Sequence, residues 1–386
     1  MQSTSIYIEL SEVHIVEAYF EKSTVLKELE FVRSAIETRV TVPVLSHVLL
    51  EAVGNELRIS ATDTELGARS KLPARVKEEG ALVIPGLRFL QIVRSAPDGE
   101  IHCKRLENHW AQIGFGRSSF KLMGLSKESF PAFPTGAKPL ANIDASLLAG
   151  CVARTHFSAS QDTNRVALAG AKLVLRQAGL TMVATDGHRL SCIEQACDFS
   201  ELTQEESLLI PRKALLCLQD LALEKTNLRS ITVAKTDSYV FFVRGSRGIF
   251  SRMLTGQFPA YEKALPTAHP CTIKLARVAF EEMVRRVKLM SDEQVHKVNL
   301  TLQRNSLELS TSSSQLGEAK DSLPIDYAQE PIQVSFNAGY VQEFLDATSD
   351  AESITIQLKD ATSAVEFRLL TEQPANYRYV VMPLRS

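Results

Sequence analysis

The sequence predicts an α+β fold made of three similar domains, each with two helices packed on antiparallel sheets. Two observations carry that expectation. Three sequence markers recur in the same order at intervals of about 126 residues. Between them, period-two apolar runs that read as strands alternate with three-and-four-spaced apolar stripes that read as helices. The length fits, since a third of 386 residues is about 129, an ordinary domain size. At 45% hydrophobic and 23% charged, the composition excludes a disordered or collagen-like chain.

Each copy opens with a helix. Val25, Leu26, Leu29, Val32 and Ile36 form the first apolar stripe. Leu147, Leu148, Cys151 and Val152 form the second, and Phe280, Met283, Val284 and Val287 the third. A hairpin follows. Alternating residues Leu57, Ile59, Ala61 match Leu180, Met182, Ala184 and Leu307, Leu309, Thr311. Turns are expected at Gly54-Asn55, Ala178-Gly179 and Asn305-Ser306.

Next comes a strand that runs into a second helix. Leu82 to Pro85 leads into Leu87, Leu90 and Val93. Leu208 to Pro211 leads into Ala214, Leu215, Leu218 and Leu221. Ile332 to Asn337 leads into Val341, Phe344 and Leu345. Proline suits the junction because its φ is preset and it has no N–H to leave unbonded. Asn337 is expected to cap the third helix through its side-chain oxygen. The last marker, Gly116 to Phe120 followed by Phe130-Pro131, recurs as Gly245 to Phe250 followed by Phe258-Pro259. In the third copy, Phe367 to Leu370 leads to Val381-Met382-Pro383. Proline-punctuated stretches then set the domains at 1–139, 140–268 and 269–386.

The six cysteines include no C-x-x-C pair and mostly sit in apolar runs, as at Leu216-Cys217-Leu218. They read as reduced core thiols of a cytoplasmic protein. The N-terminus lacks the basic and apolar regions of a signal peptide, and no apolar stretch nears the ~20 residues of a membrane span. The formal charge is only −2. Its distribution is more telling. The predicted helices carry Lys27, Arg33, Arg88, Arg94, Arg154, Arg212, Lys213, Arg277, Arg285, Arg286 and Lys288. Glu201, Glu205, Glu206, Glu318 and Asp321 fall elsewhere, and Glu343 and Asp346 break the trend on the last helix. A basic helical side of this kind suits phosphates, and equally an ordinary solvated helix face.

No phosphate-loop, dinucleotide, zinc-protease or nucleophile-elbow motif is present. No cofactor or metal is expected. Thr185-Asp186-Gly187-His188-Arg189-Leu190 looks the most chemical, yet it reads as a polar loop after a strand, with Gly187 supplying an unusual φ. The tail, Tyr379 to Ser386, is apolar almost to its end. Val380 and Val381 are expected to finish a strand. Met382, Pro383 and Leu384 then lie on the surface or line a groove for a peptide.

Arg39 to Leu45, Ala184 to Leu190, Phe258 to Pro266 and Tyr379 to Arg385 resemble the bacterial β sliding clamp family, the processivity subunits of DNA polymerase III. The likeness runs from about Ser23 to the end, leaving an N-terminal extension of about 1–16. It implies three clamp domains forming half of a closed ring, a head-to-tail homodimer around double-stranded DNA that reads no sequence. The implied partners are the polymerase III catalytic subunit, the clamp-loader ATPase, and other polymerases and repair proteins bearing short linear motifs, with no membrane. The chain is then expected to be a non-enzyme.

Carried onto this sequence, the family's peptide groove falls on Leu168, Thr185, Gly187, His188, Arg189, Leu190, Pro259, Lys263, Ala264, Val295, Asn337, Tyr340, Val380, Met382, Pro383, Leu384 and Arg385. His188, Arg189 and Asn337 are expected to fix the peptide's polar part. Phe120 and Leu122 of one subunit are expected to meet Leu289 and Met290 of the other. Arg39, Arg33, Arg88, Arg154, Arg212, Lys213 and Arg285 are expected to face DNA. Lys263 and Ala264 stand where the family commonly has Arg and Val, and the loop from Asp162 to Ala167 lacks the tyrosines some members place near DNA. Two alternatives come from other classes: a protein-binding scaffold that does not close a ring, and an enzyme using Asp186 and His188.

Overall fold

The computed structural model describes residues 16–38, 42–162, 164–268, 270–370 and 376–384. Arg39 and Arg385 therefore lie outside the described residues. Two compact units are formed, Met1–Lys138 with Ala234–Ser251, and Pro139–Val233 with Arg252–Ser386.

Helices α1 (Lys22–Val32) and α2 (Gly86–Ser95) belong to the first unit. The second holds α3 (Ala145–Ala153), α4 (Arg212–Leu223), α5 (Arg277–Lys288) and α6 (Ala338–Asp346). They pack in pairs, α1 with α2, α3 with α4 and α5 with α6, as two helices per copy require. The predicted stripes point inward. Phe280, Met283, Val284 and Val287 of α5 are all fully buried, each stabilising by about 1.5–3 kcal/mol relative to exposure. The first stripe is shorter than its spacing suggests. The α-helix ends at Val32 and a single 3₁₀ turn, Arg33–Ala35, brings Ile36 to the core. Among the described residues, no helix is long and apolar enough to cross a membrane.

The strand-to-helix junctions form as expected. Pro85 and Pro211 stand immediately before α2 and α4. Asn337 caps α6, its Oδ1 accepting the N–H groups of Gly339 at 2.7 Å and Tyr340 at 3.3 Å. The three hairpins are also present, His47–Val53 with Glu56–Thr62, Gly170–Arg176 with Gly179–Thr185, and Lys297–Gln303 with Ser306–Ser313. Two turns sit one residue earlier than expected, at Gln177-Ala178 and Arg304-Asn305. Asn305 takes the left-handed conformation (φ 60°) that asparagine tolerates, and Gly179 and Ser306 instead begin the returning strands.

In the first unit, Glu17–Glu21 lies within a five-stranded sheet whose edge is Ser118–Met123. In the second, an eight-stranded sheet contains strands of both the second and third copies. They join where Arg189–Ala196 pairs antiparallel with Asn376–Val381, in register Arg189 with Val381 and Leu190 with Val380. A separate four-stranded sheet ends in Gly317–Pro324.

The Thr-Asp loops after the hairpins share one internal design. Thr62 Oγ1 donates to Leu66 O at 3.0 Å and accepts from Thr64 N, while Asp63 Oδ1 accepts the N–H groups of Glu65 and Leu66. Thr185 and Asp186 repeat the pattern toward Arg189 O and the N–H groups of Gly187, His188 and Arg189. The loop needs a positive φ, which Gly187 supplies at 89° and Thr64 adopts at 79°. A β-branched residue there is strained by about 1–3 kcal/mol. Thr64→Gly is expected to stabilise the protein by about 1 kcal/mol after glycine's added chain entropy. Urea unfolding with an unchanged or lower midpoint would contradict this.

Candidate functional site

The register between Arg189–Ala196 and the tail strand brings the Thr-Asp-Gly-His-Arg-Leu loop against the end of the chain. Two bonds continue the pairing beyond the strand. Met382 N–H donates to His188 O at 2.8 Å, and Leu384 N–H donates to Ser335 O at 2.8 Å. The apolar tail is thus held in extended form across the surface.

Beside it lies a pocket of about 170 Å³. Its floor is a cluster of Val183, Leu190, Cys192, Phe258, Tyr261 and Val380, with Leu168 and Ala364 packed against it. Nine of the expected groove residues line the pocket: Leu168, Thr185, Gly187, Arg189, Leu190, Pro259, Ala264, Val380 and Met382. Met382 remains 47% exposed, a flexible thioether at the mouth. The volume and lining suit one or two apolar side chains better than a small polar metabolite.

None of the other expected residues that are described lines that pocket. Lys263 lines an adjoining chamber that shares Ala264 and Met382 with the pocket. Val295 is outside the pocket lining; its N–H is tied to Asp292 Oδ1 at 3.0 Å in a bend before Lys297–Gln303. Asn337 and Tyr340 are at the start of α6, beyond the Ser335 carbonyl that anchors Leu384. Tyr340 O accepts the Tyr379 hydroxyl at 2.8 Å, which ties α6 to the tail strand. Sequence reasoning missed Ala260 and Tyr261, which line the pocket, and Ala364 beneath it. The aromatic in Phe-Pro-Ala-Tyr was the available signal for Tyr261.

Arg189 lines the pocket with its charge turned away from the mouth. Its side chain is 6% exposed and turned inward. Nε donates to Asp186 Oδ2 at 3.1 Å, Nη2 to Phe157 O at 2.6 Å, and Nη1 to a carboxylate oxygen of Glu343 on α6. The guanidinium lies 4.3 Å from the Tyr340 ring centroid. With these donors committed, Arg189 shapes the pocket wall and does not present a free cation to a ligand. Glu343, the residue that broke the basic pattern of the helices, is here its partner. Asp186 is likewise engaged by two backbone N–H groups and Arg189, which is the work of a loop staple. Burial pushes the Cys192 thiol and the Tyr261 hydroxyl each up to about 12, so neither is an ionised nucleophile near neutral pH.

The first unit has the corresponding loop beneath aromatic rings. There Leu66–Pro73 pairs with Arg247–Arg252. The Phe250 ring lies so close over Gly67 that a Cβ would come within 2.1 Å of it, and Phe133 packs edge-on at 4.8 Å. Aromatic rings cover that position.

The basic residues are less uniform than their number suggests. Arg33, Arg88, Lys213 and Arg285 are exposed. Arg285 pairs with Glu281 at 2.5 Å, and Arg154 with Asp350 at 2.5 Å. Arg212 is half-buried, with an Nε that has no hydrogen-bond partner among the described residues.

Family models for the N-terminal, central and C-terminal domains of the DNA polymerase III beta subunit match residues 17–134, 142–260 and 262–385. The beta sliding clamp of a Synechocystis species is 30% identical, with 92% of this chain and 96% of that protein covered. That of Pseudomonas putida is 28% identical, with 95% and 98% covered. A crystal structure of the DnaN sliding clamp from Bartonella birtlesii, bound to griselimycin, superposes with a TM-score of 0.89 at 28% identity, covering 97% of this chain and all of that one. With all three domain models matched in order and a solved clamp superposing over nearly the whole chain, the protein belongs to the DNA polymerase III beta subunit family, the DNA sliding clamps of that polymerase.

Proposed function

We propose that two copies of this chain close head to tail around duplex DNA, and that each seats the short apolar motif of a polymerase or other partner in the groove at its C-terminus. The observation that carries the first part is a pair of open sheet edges. Ser118–Met123 ends one sheet and Gly317–Pro324 ends another. Such edges invite strand pairing unless they are blocked. Met123 ends the first edge strand and Leu316 immediately precedes the second, and both are exposed, as is Leu289 at the end of α5. Phe120 and Leu122 alternate on one face of the first edge, and Met290 lies against Gly317 at the start of the second. Two different edges meeting across two chains make a heterologous contact, which closes only if the rotation completes a ring.

DNA then passes the helices without base readout. The exposed Arg33, Arg88, Lys213 and Arg285 supply phosphate attraction, with Arg39 added from outside the described residues. Ion pairs such as Arg154–Asp350 temper it. Attraction that is diffuse and salt-dependent holds a duplex without fixing its register. The clamp-loader ATPase opens the ring in this reading, and tethering raises the concentration of polymerase at the primer end. No bond is made or broken by the clamp itself, in keeping with the committed Asp186 and the un-ionised Cys192. The scaffold and enzyme alternatives have no observation of this kind behind them.

The groove is tested by removing its tail. Deleting Met382 to Ser386 takes away the Met382 mouth and the two backbone bonds to His188 and Ser335. Binding of a partner-motif peptide is expected to become undetectable by fluorescence anisotropy, while the dimer sediments as before. Unchanged peptide affinity would refute the assignment.

A further inference from the structure

We infer that the groove continues past its apolar pocket into a cationic chamber that takes an acidic side chain flanking the apolar anchor of the bound peptide; the inference rests on the groove reading above. The chamber measures about 510 Å³ and shares Ala264 and Met382 with the pocket. A peptide anchored in the one therefore passes the other. Lys263 and Lys359 line it, and neither has a carboxylate partner among the described residues. Glu262 shares the lining, leaving one net positive charge.

Two local features hold the lysines in place. Lys263 sits on the 3₁₀ turn Tyr261–Ala264, which also gives Tyr261 and Ala264 to the pocket. Lys359 precedes a tightly stapled loop. Asp360 Oδ1 accepts the N–H groups of Thr362 and Ser363, each at 2.8 Å, and both hydroxyls donate to the same carboxylate. Those bonds occupy the one carboxylate adjacent to Lys359 in sequence. The chamber's remaining charge is thus unbalanced next to an apolar anchor site, and an acidic residue on the peptide, delivered at high effective concentration by that anchor, balances it.

The test uses the full-length protein and three fluorescein-labelled octapeptides with the same Leu-Phe anchor. One has neutral Ser and Gly flanks, one has Asp-Asp before the anchor and one has Asp-Asp after it. One acidic peptide is expected to bind about three- to fivefold tighter than the neutral one at low salt. The gain should vanish in Lys263→Gln/Lys359→Gln and grow in Glu262→Gln. No gain for either acidic peptide, or a gain that survives the double substitution, would overturn the inference. In both of those cases the neutral peptide still binds and the groove stands. Failure of all three peptides would instead overturn the groove reading, and the inference with it. The neutral peptide is titrated against parent and double variant alike, and each acidic gain is taken as a ratio to it.

Discussion

Arg189→Ala is expected to destabilise the second unit by about 3 kcal/mol and to weaken peptide binding at least tenfold. The guanidinium is buried and donates to Asp186, to Phe157 O and to Glu343 while stacking on Tyr340. Removing one member of such a set leaves acceptors without donors in a desolvated place, a loss of about 3–5 kcal/mol. The lower end applies because the Glu343 side chain is about half exposed and can turn to water. The binding loss follows from position. Arg189 is in the pocket wall and starts the strand that pairs with the tail. Glu343→Gln is expected to cost 1 kcal/mol or less, about the worth of an exposed pair. Chemical unfolding and peptide anisotropy on the two variants test the order. An Arg189→Ala protein as stable as the parent, with intact binding, would show that the cation is not structural.

Leu289→Ala combined with Met290→Ala is expected to convert the proposed head-to-tail dimer to monomers at micromolar concentration. An exposed leucine gains stability only when a partner covers it, by about 1.5–3 kcal/mol. A head-to-tail pair has two identical joints, so each substitution acts twice when the dimer dissociates. Even about 1 kcal/mol per side chain per joint raises the dissociation constant on the order of 1,000-fold. Neither side chain belongs to the buried core of α5, so the monomer should still fold cooperatively, with a thermal midpoint lowered only by the lost association. Sedimentation showing a dimer as tight as the parent would remove these residues from the joint.

Much of the fold was legible because it is local and repeated. Hairpin alternation, Pro85 and Pro211 before helices, the Asn337 cap and the positive φ of Gly187 each follow from a few neighbouring residues. What the residues alone did not reveal is long-range. Pairing of Leu190 with Val380 is set by how two copies share a sheet, and the convergence of loop and tail was foreseen only through family resemblance. The inward turn of Arg189 depends on Glu343, far along the chain on α6. The ion pair of Arg154 with Asp350 is equally remote in sequence. Ala364, a small residue with no motif around it, packs against the cluster beneath the pocket without having been foreseen. Small side chains that line a pocket leave little trace in a single sequence, since their role is to leave room.

Closure around DNA is tested most directly by topology. The protein is loaded onto a nicked circular plasmid with the proposed clamp-loader ATPase, separated by gel filtration, and the DNA is then either left circular or cut once. The account predicts that the clamp stays with the circle and is lost from the linear molecule by sliding off its ends. Equal loss from both forms, or equal retention on both, would contradict a ring that encircles the duplex.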